Sequence, residues 1–354
     1  MRNLVAFFDD RFCNYRLPPD HPDKPERLTS IATALRSSDL EALVQACPRP
    51  ATEEELARVH ELGYLNILIE NDKIARSSGQ PVQIDPDTWI SEGMLEAAKL
   101  AAGAGCLSVE LVHRGEARNC FVLARPGGHH ALRNKAMGFC LINNVAVAAR
   151  HAQDKLGLKR ILVVDWDVHH CNGTQSSFYY DPNVCVISLH QEWPFWPGDS
   201  GLSTEYGYGD GKGYNINLPL PAGTGDRGYI KAWDMIVDPI AREFAPELIL
   251  LSAGYDAHVD DPISGQRISS AGYHLLSQRL AEVAATCNAP VVAFLEGGYN
   301  SQVLADCVMT TMRVLNSQNQ QDCMPREQTG DNFSDQVDER ILRLSRQFRQ
   351  YWTL

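Results

Sequence analysis

The sequence lacks three features that mark particular classes of protein. No apolar run approaches the roughly 20 residues that a membrane-spanning helix needs, and residues 1–8 lack the long apolar core and cleavage site of a signal peptide. Basic residues are not in excess, because 32 Lys and Arg stand against 44 Asp and Glu for a net charge of −12. That balance argues against a nucleic-acid-binding surface and is compatible with a cationic substrate. We therefore expect a cytoplasmic protein without nucleic-acid or membrane partners.

The ten cysteines include no C-x-x-C pair, and several lie within apolar runs such as 119–122 and 184–187. This placement is typical of reduced core residues rather than of disulfides or thiolate metal ligands. With 354 residues, of which 44% are hydrophobic, the chain is long enough to bury a large core.

Short apolar, β-branched runs alternate with segments of helical periodicity. The alternation predicts an α/β fold, a single-domain, doubly wound and mostly parallel sheet with helices on both faces. The predicted strands are residues 4–8, 120–124, 161–165, 184–189, 248–252 and 291–295. The predicted helices are residues 25–35, 95–112, 143–155, 229–244, 271–284 and 301–315.

Composition divides the chain into three parts. Residues 1–316 are predicted to form the main domain, which includes a long Gly-, Pro- and aromatic-rich loop over 191–225 that follows a strand and is expected to shape a site. Residues 317–336 are polar and read as a linker or strap. Residues 337–354 are predicted to form an amphipathic helix that docks on the core or on a second subunit. The pattern leaves that choice, and the oligomeric state, open.

The strongest functional signal follows the predicted strand 161–165. Because side chains alternate along a strand, Asp165, Asp167 and His169 are expected to project to the same side and to offer two carboxylates and an imidazole. Any one of these residues alone would indicate a helix cap or a hydrogen-bonding group. Three together favour a metal site.

Three further predicted strand ends carry polar groups. His129 and His130 lie in a Pro- and Gly-rich loop after strand 120–124, and Asp256 follows strand 248–252. Tyr299 follows two glycines after the last predicted strand. A turn role for Asp256 is the alternative to a ligand role.

The carboxyl ends of parallel strands share one edge of a sheet, where open α/β proteins place their chemistry. Metal-dependent hydrolysis uses this combination of groups. An ion held by three protein ligands activates water and polarises a carbonyl, while imidazole moves protons and a donor stabilises the oxyanion.

These motifs in this order resemble the histone deacetylase and acetylpolyamine amidohydrolase family, which has an arginase-type α/β fold. The resemblance covers about residues 4–315 and rests on residues 21–27, 125–131, 138–140, 165–173, 188–190, 252–256 and 296–299. It implies that residues 1–316 form a deacetylase-like catalytic domain, an amidohydrolase that removes acetyl or other acyl groups from lysine side chains.

The resemblance implies roles at matching positions. The zinc ligands would be Asp167, His169 and Asp256, although two carboxylates and an imidazole also admit Fe²⁺. Tyr299 would be the oxyanion donor.

The tandem catalytic histidines would be His129 and His130, with Asp165 as the partner of His129. Asn172 stands where many relatives have an aspartate beside His130, as in class II deacetylases. Because an amide stabilises imidazolium less than a carboxylate does, His130 is expected to stay neutral to lower pH and to act as general base.

The same resemblance implies a substrate slot. Phe139 and Trp196 would be its aromatic walls, and the Gly138 carbonyl would accept the substrate amide N–H. Asp87 would orient a peptide backbone at the rim, and Arg27 would lie in an inner channel behind the metal.

Potassium ions are expected at two oxygen-rich sites. The first would use oxygens of Asp165, Asp167, His169, Ser188 and Leu189. The second would lie near Phe178, Asp181, Val184 and Tyr214.

The main alternative is an acetylpolyamine amidohydrolase, whose substrate is a small acetylated amine rather than an acylated lysine of a peptide or protein. Ile263 occupies a rim position where an acidic side chain would attract a second ammonium group, which favours acyl-lysine substrates, although the surrounding Asp-Pro-Ile-Ser also resembles some polyamine enzymes. Arginase-like hydrolysis is disfavoured because Gly254 and His258 flank Asp256 where a second metal would need carboxylates. A non-catalytic acyl-lysine-binding module is disfavoured because neither Tyr299 nor a ligand residue is missing.

Overall fold

The computed structural model describes residues 2–40, 43–45, 49–317, 331 and 334–354, and its centre is an eight-stranded sheet. The strands are β1 Arg2–Phe7, β2 Val44–Gln45, β5 Ala117–Val122, β6 Ile161–Asp165, β7 Val184–Gln191, β8 Asn215–Leu220, β9 Leu248–Ala253 and β10 Val291–Leu295. Every neighbouring pair in this sheet is parallel, in the order β2-β1-β5-β10-β9-β6-β7-β8. A separate antiparallel hairpin consists of β3 Val82–Asp85 and β4 Thr88–Ile90. The predicted α/β fold class is confirmed.

Helices connect the strands and cover the sheet, because central strands such as β6 and β10 are buried along their whole length and parallel sheets need cover on both faces. The helices are α1 Glu26–Arg36, α2 Glu53–Ala57, α3 Leu62–Ser78, α4 Met94–His113, α5 Asn144–Leu156, α6 Asn172–Phe178, α7 Asp226–Ala232, α8 Asp238–Phe244, α9 Ser270–Thr286, α10 Ser301–Asn316 and α11 Ser334–Phe348. One group of helices packs around α4 and α5, and another packs around α1, α9 and α10.

The six predicted strands and six predicted helices all occur, with shifts at their ends. The predicted helix 229–244 starts at Asp226 and includes a π-helical turn over Trp233–Val237. The expectation of a continuous loop over 191–225 was wrong, because β8 lies within it. Six buried side chains, most of them apolar, form that strand, and the surrounding glycines and prolines hid the pattern. Helix α3 was also not predicted.

The C-terminal helix α11 docks on its own chain. Its apolar stripe of Val337, Ile341, Leu344 and Phe348 is buried, and the helix packs against α7 and β8. The predicted helix 337–354 was too long at its C-terminal end, because α11 ends at Phe348 and Trp352 lies beyond it. Of the predicted linker 317–336, residues 318–330 and 332–333 lie outside the described residues. Among the described helices, none combines the length and the apolar character needed to cross a membrane.

The sheet order explains how distant motifs meet. Strands β5, β10, β9 and β6 are consecutive neighbours. Because they are parallel, their carboxyl ends lie side by side, and each is followed by one of the predicted functional segments.

Candidate functional site

Three buried side chains form a candidate metal centre at this edge, which we call the strand-edge cluster: Asp167, His169 and Asp256. Their potential ligand atoms all lie within 4.8 Å of one another. Nδ1 of His169 is 3.0 Å from Oδ1 of Asp167 and 3.1 Å from Oδ2 of Asp256. Two carboxylates and an imidazole that converge in this way can bind a divalent cation.

Backbone N–H groups hold both carboxylates in place. The Gly297 N–H donates to Oδ2 of Asp167 at 2.8 Å, and the Val168 N–H donates to Oδ1 of Asp256 at 2.9 Å. A Cβ on Gly297 would lie 2.1 Å from Oδ2 of Asp256, so only glycine permits this close approach. The cradle therefore fits a metal ion and leaves little room for larger side chains.

Asp165 lies apart from the three donor atoms. Strand β6 ends at Asp165, so the alternation of side chains does not continue to Asp167 and His169. One oxygen of Asp165 accepts the Asp167 N–H at 3.0 Å, and the other is 3.0 Å from Nδ1 of His129. Asp165 thus orients both a histidine and the chain that carries the metal-ligand candidates.

The rings of His129 and His130 lie next to each other beside this cluster, with centroids 3.8 Å apart and planes tilted by 42°. Nδ1 of His130 is 2.7 Å from Oδ1 of Asn172. The Asn172 amide N–H₂ donates to the sulfur of Met137 at 3.2 Å, which is consistent with its oxygen facing His130. An imidazole that donates from Nδ1 keeps Nε2 free as a proton acceptor.

The two imidazoles have opposite electrostatic surroundings. Burial opposes the charged form of His129, but the carboxylates of Asp165, Asp167 and Glu296 outweigh it and raise the pKa of His129 to about 10. Burial lowers the pKa of His130 well below its usual value, and the neighbouring imidazoles lower it further. His130 is therefore the neutral member of the pair.

Glu296 is a residue that the sequence analysis did not single out. One carboxylate oxygen accepts the N–H groups of Gly128 at 2.6 Å and His129 at 3.3 Å, so it anchors the histidine loop. Burial raises the pKa of Glu296 to about 7. Its position at the end of β10 was a usable signal, because the other three strand ends had already been read in that way.

Aromatic rings line the approach to the cluster. Trp196 lies edge-on to His130, with centroids 4.5 Å apart, and Phe139 lies edge-on to Tyr299 at 6.1 Å. Phe195 stacks on His169 with centroids 4.9 Å apart and an interplanar angle of 19°. Phe195 was not predicted, although it is next to Trp196 in the sequence. The rings of Phe139 and Trp196 thus each lie next to a residue of the candidate site, and the slot between them stays a prediction.

The hairpin β3–β4 positions the predicted rim. Oδ1 of Asp87 accepts the Gly138 N–H at 3.0 Å and the Thr88 hydroxyl at 2.8 Å. Gly138 has a positive φ of 57°, and a Cβ there would lie 2.3 Å from the ring of His130. Glycine is thus required at 138 for both its backbone conformation and its packing.

Arg27 is buried and contacts the loop that follows β10. Its Nε donates to the Gly298 carbonyl at 2.6 Å, another nitrogen donates to the Glu296 carbonyl, and a third pairs with Asp23 at 2.7 Å. Its guanidinium lies 4.9 Å from the Tyr299 ring centroid. Burial raises the pKa of Tyr299 well above its usual value, although Arg27 opposes this. Tyr299 therefore stays a hydrogen-bond donor at neutral pH.

Ile263 lies in a turn connected to Tyr299. The Ile263 N–H donates to Oδ1 of Asp261 at 3.0 Å, and Oδ2 of the same carboxylate accepts the Tyr299 N–H at 2.6 Å. Asp261 thus joins the predicted rim position to the oxyanion-donor loop.

The predicted potassium residues fall into two groups, as expected from their order in the chain. Asp165 faces Ser188 across the β6–β7 register, with Leu189 next along β7. In the second group, the Phe178 carbonyl accepts the Asp181 N–H at 2.9 Å and the Asp181 carbonyl accepts the Val184 N–H at 3.4 Å. The Tyr214 carbonyl accepts the Val186 N–H beside them. Both ion sites stay predictions.

Comparison with known proteins gives the same family as the motifs. The family model for the histone deacetylase domain matches residues 21–315. Histone deacetylase 5 of Arabidopsis thaliana is 38% identical over 330 residues, which are 89% of this chain and 49% of that protein. Polyamine deacetylase HDAC10 of Homo sapiens is 39% identical over 326 residues, which are 89% of this chain and 48% of that protein. The chain thus spans about half the length of these two relatives.

The fold has a close counterpart among solved structures. The crystal structure of the HDA15 HD domain matches with a TM-score of 0.89 and 32% identity, and the match covers 99% of this chain and 95% of that one. The similarity in sequence extends over most of the residues that build the sheet and the strand-edge cluster. This chain belongs to the histone deacetylase family.

Proposed function

We propose that this protein is a metal-dependent deacetylase that hydrolyses the amide bond of acylated lysine side chains. One observation carries the proposal: the donor atoms of Asp167, His169 and Asp256 converge beside two adjacent imidazoles at a buried sheet edge. The names of the two relatives described above, a histone deacetylase and a polyamine deacetylase, support the reaction type.

The strand-edge cluster would hold the metal, which we propose to be Zn²⁺, with Fe²⁺ also compatible with two carboxylates and one imidazole. A bound ion of this kind supplies Lewis acidity, which makes water more acidic and the acyl carbonyl more electrophilic. Asp165 and Glu296 would fix the surrounding loops through the hydrogen bonds described above.

The chain's own groups would perform the proton transfers. His130 accepts a proton from the attacking water at Nε2, because its Nδ1 is engaged by Asn172 and its pKa is lowered by burial. The phenol of Tyr299 donates a hydrogen bond to the oxyanion that forms as water attacks the carbonyl. A histidine then protonates the leaving amine, which departs as the free lysine side chain.

The slot between Phe139 and Trp196 would hold the alkyl chain of the lysine, with the Gly138 carbonyl as acceptor of the amide N–H and Asp87 at the rim. Ile263 argues for this substrate over a polyamine, because an apolar side chain at the rim gives no attraction to a second ammonium group.

We further propose that the two oxygen-rich groups bind structural K⁺. We also propose that the protein works in a reducing compartment such as the cytoplasm. The eight cysteines in the described part of the chain are all free thiols, which supports that location.

Tyr299→Phe tests the activity. In metal-loaded protein, the variant should hydrolyse an acetyl-lysine peptide about 100- to 1000-fold more slowly in kcat, because one oxyanion donor is lost, with its metal content unchanged. Tyr180→Phe is the matched control, since Tyr180 is 67% exposed. Peptide binding without turnover by the wild-type protein would contradict the proposal and favour a binding module.

Substrate class is tested by kcat/KM on three sets of compounds: acetyl-lysine peptides, longer-chain acyl-lysine peptides and N-acetylated polyamines. We expect the peptides to be preferred. Ile263→Glu should then raise kcat/KM for acetylated polyamines relative to peptides. A wild-type preference for polyamines would overturn the substrate assignment while leaving the reaction type intact.

A further inference from the structure

A second group of metal-ligand side chains lies on the helices. Glu55 on α2, Cys106 on α4 and His151 on α5 form what we call the helical cluster, and their potential ligand atoms lie within 4.8 Å of one another. All three residues are buried. None of these helices carries a residue of the strand-edge cluster.

His151 points an unsatisfied nitrogen into this cluster. Nε2 of His151 is 2.9 Å from Oε1 of Glu110, so this nitrogen carries the proton that the carboxylate accepts. Nδ1 has no hydrogen-bond partner among the described residues, and His151 is only 4% exposed. An unpaired nitrogen lone pair at such depth loses its hydration without compensation.

Glu55 faces that lone pair. Its Oε1 is 3.4 Å from Nδ1 of His151. Although burial opposes it, hydrogen bonds from Arg49 and Thr52 lower the pKa of Glu55 to about 2, so the carboxylate is charged at neutral pH. Two acceptors that face each other repel unless a cation or a donor lies between them.

We propose that the helical cluster is a second metal site, which binds Zn²⁺ through the Cys106 thiolate, Nδ1 of His151 and Oε1 of Glu55. Cysteine, histidine and glutamate are common zinc ligands, and a water molecule completes a four-coordinate shell. The Cys106 thiol loses its proton to solvent when the ion binds. Glu110 orients the imidazole from its other nitrogen, as carboxylates do for zinc-bound histidines. The site departs from the expectation that all the cysteines are core residues without a ligand role.

Bound at this position, the ion joins three helices that are otherwise connected through packing and ion pairs. Its expected effect is on stability rather than on the hydrolytic reaction. Zn²⁺ should raise the melting temperature of the wild-type protein more than that of Cys106→Ser, because a ligand that binds only the folded state stabilises it.

Cobalt substitution distinguishes the two sites. The strand-edge cluster offers only oxygen and nitrogen ligands, so a thiolate-to-cobalt charge-transfer band in the near ultraviolet reports the helical cluster alone. We expect the band in cobalt-loaded full-length protein, with two cobalt ions per chain. Cys106→Ser should lose the band and bind one ion, while it keeps deacetylase activity. Cys120→Ser, which removes a buried thiol on β5, should keep both the band and two ions.

His151→Gln provides a second test if Cys106→Ser does not fold, since it leaves the thiol in place and removes the nitrogen ligand. It should also abolish the band. A cobalt-loaded, active wild-type protein without the band would overturn the proposal, as would a band that survives Cys106→Ser. The charge-transfer band and the number of bound ions are both measured without substrate. A negative result for the helical cluster would therefore leave the proposed hydrolase activity untouched, and the reverse also holds.

Discussion

The strand-edge cluster and the helical cluster present similar ligand sets with different surroundings. The carboxylates of the strand-edge cluster are held by neutral backbone N–H groups of Gly297 and Val168. In the helical cluster, the Arg49 guanidinium takes both oxygens of Glu55 at 2.7 Å. In the first cluster two carboxylates share one imidazole, that of His169, whereas in the second cluster the single carboxylate is already paired with a guanidinium.

This difference indicates that donor distance alone does not determine metal affinity. A cation at the strand-edge cluster relieves the repulsion between two buried carboxylates, as the pKa of Asp256, raised to about 7 by burial and by Asp167, also indicates. A cation at the helical cluster must share Glu55 with Arg49. We therefore expect tight binding at the first site and weaker, exchangeable binding at the second.

The largest effect should come from breaking the strand-edge cluster. Asp256→Asn should lower kcat/KM by about 1000-fold or more, because metal activation contributes several kcal/mol to the transition state. The measurements are hydrolysis of an acetyl-lysine peptide and metal content. Asp260→Asn is the control, since its side chain is 67% exposed. His151→Gln in the helical cluster should leave kcat/KM within about threefold of wild type. Equal losses at both clusters would remove the distinction between them.

The next effect concerns how closely Gly138 packs against His130, which lies beside the strand-edge cluster. Gly138→Ala should lower kcat/KM by about 100-fold, because the new Cβ displaces His130 and small misplacements of a catalytic group cost that much. Gly115→Ala is matched in backbone strain, with a φ of 69° and no atom within 4 Å of the added Cβ. If both variants lose activity equally, strain rather than contact with His130 is the cause.

A smaller effect tests the amide partner of His130. In Asn172→Asp, a carboxylate would stabilise the imidazolium, so His130 would hold its proton to higher pH and the active base would be lost earlier on acidification. The acidic limb of the pH profile of kcat/KM should therefore move up by about 1 pH unit. Asn71→Asp adds the same charge on the exposed side of α3 and should leave the limb in place. An unmoved limb in Asn172→Asp would exclude His130 as the general base.

The smallest effect on catalysis should come from the helical cluster. As a chelator is added to cobalt-loaded protein, the thiolate band should disappear before hydrolysis of the acetyl-lysine peptide declines. Activity should change by less than about twofold while the band is lost. Simultaneous loss of both signals would show that the two ions are bound with similar affinity or are coupled.

The sequence was informative where a residue's role depends on the strand it follows. Apolar runs located six strands, and polar residues at four of their ends were correctly expected to lie near one another, because parallel strands end at one edge. The side-chain alternation of a strand did not predict the directions of Asp167 and His169, because β6 ends at Asp165 and the chain then turns. The aromatic slot residues were available only through family resemblance.

Sequence patterns could not predict contacts between helices that are far apart along the chain. Glu55, Cys106 and His151 are separated by 51 and 45 positions along the chain, and each looks ordinary in its own helix. Phe195 was missed for a related reason, since its role comes from a ring stack that no local pattern encodes. Glu296 directly follows β10, so its position in the sequence was a signal that could have identified it. Strand β8 was missed because local composition favoured a loop, while burial against β7 and α11 outweighed it.

Helix α11 has a consequence for how the chain can be shortened. Strand β8 is the last strand of the sheet, and Arg340 on α11 donates to the Pro219 carbonyl of that strand at 2.9 Å. A truncation after residue 316 would expose this border and the apolar surface beneath the helix. Open borders of this kind recruit strands from other molecules. Such a truncated protein should self-associate in solution even though the proposed catalytic groups are all retained.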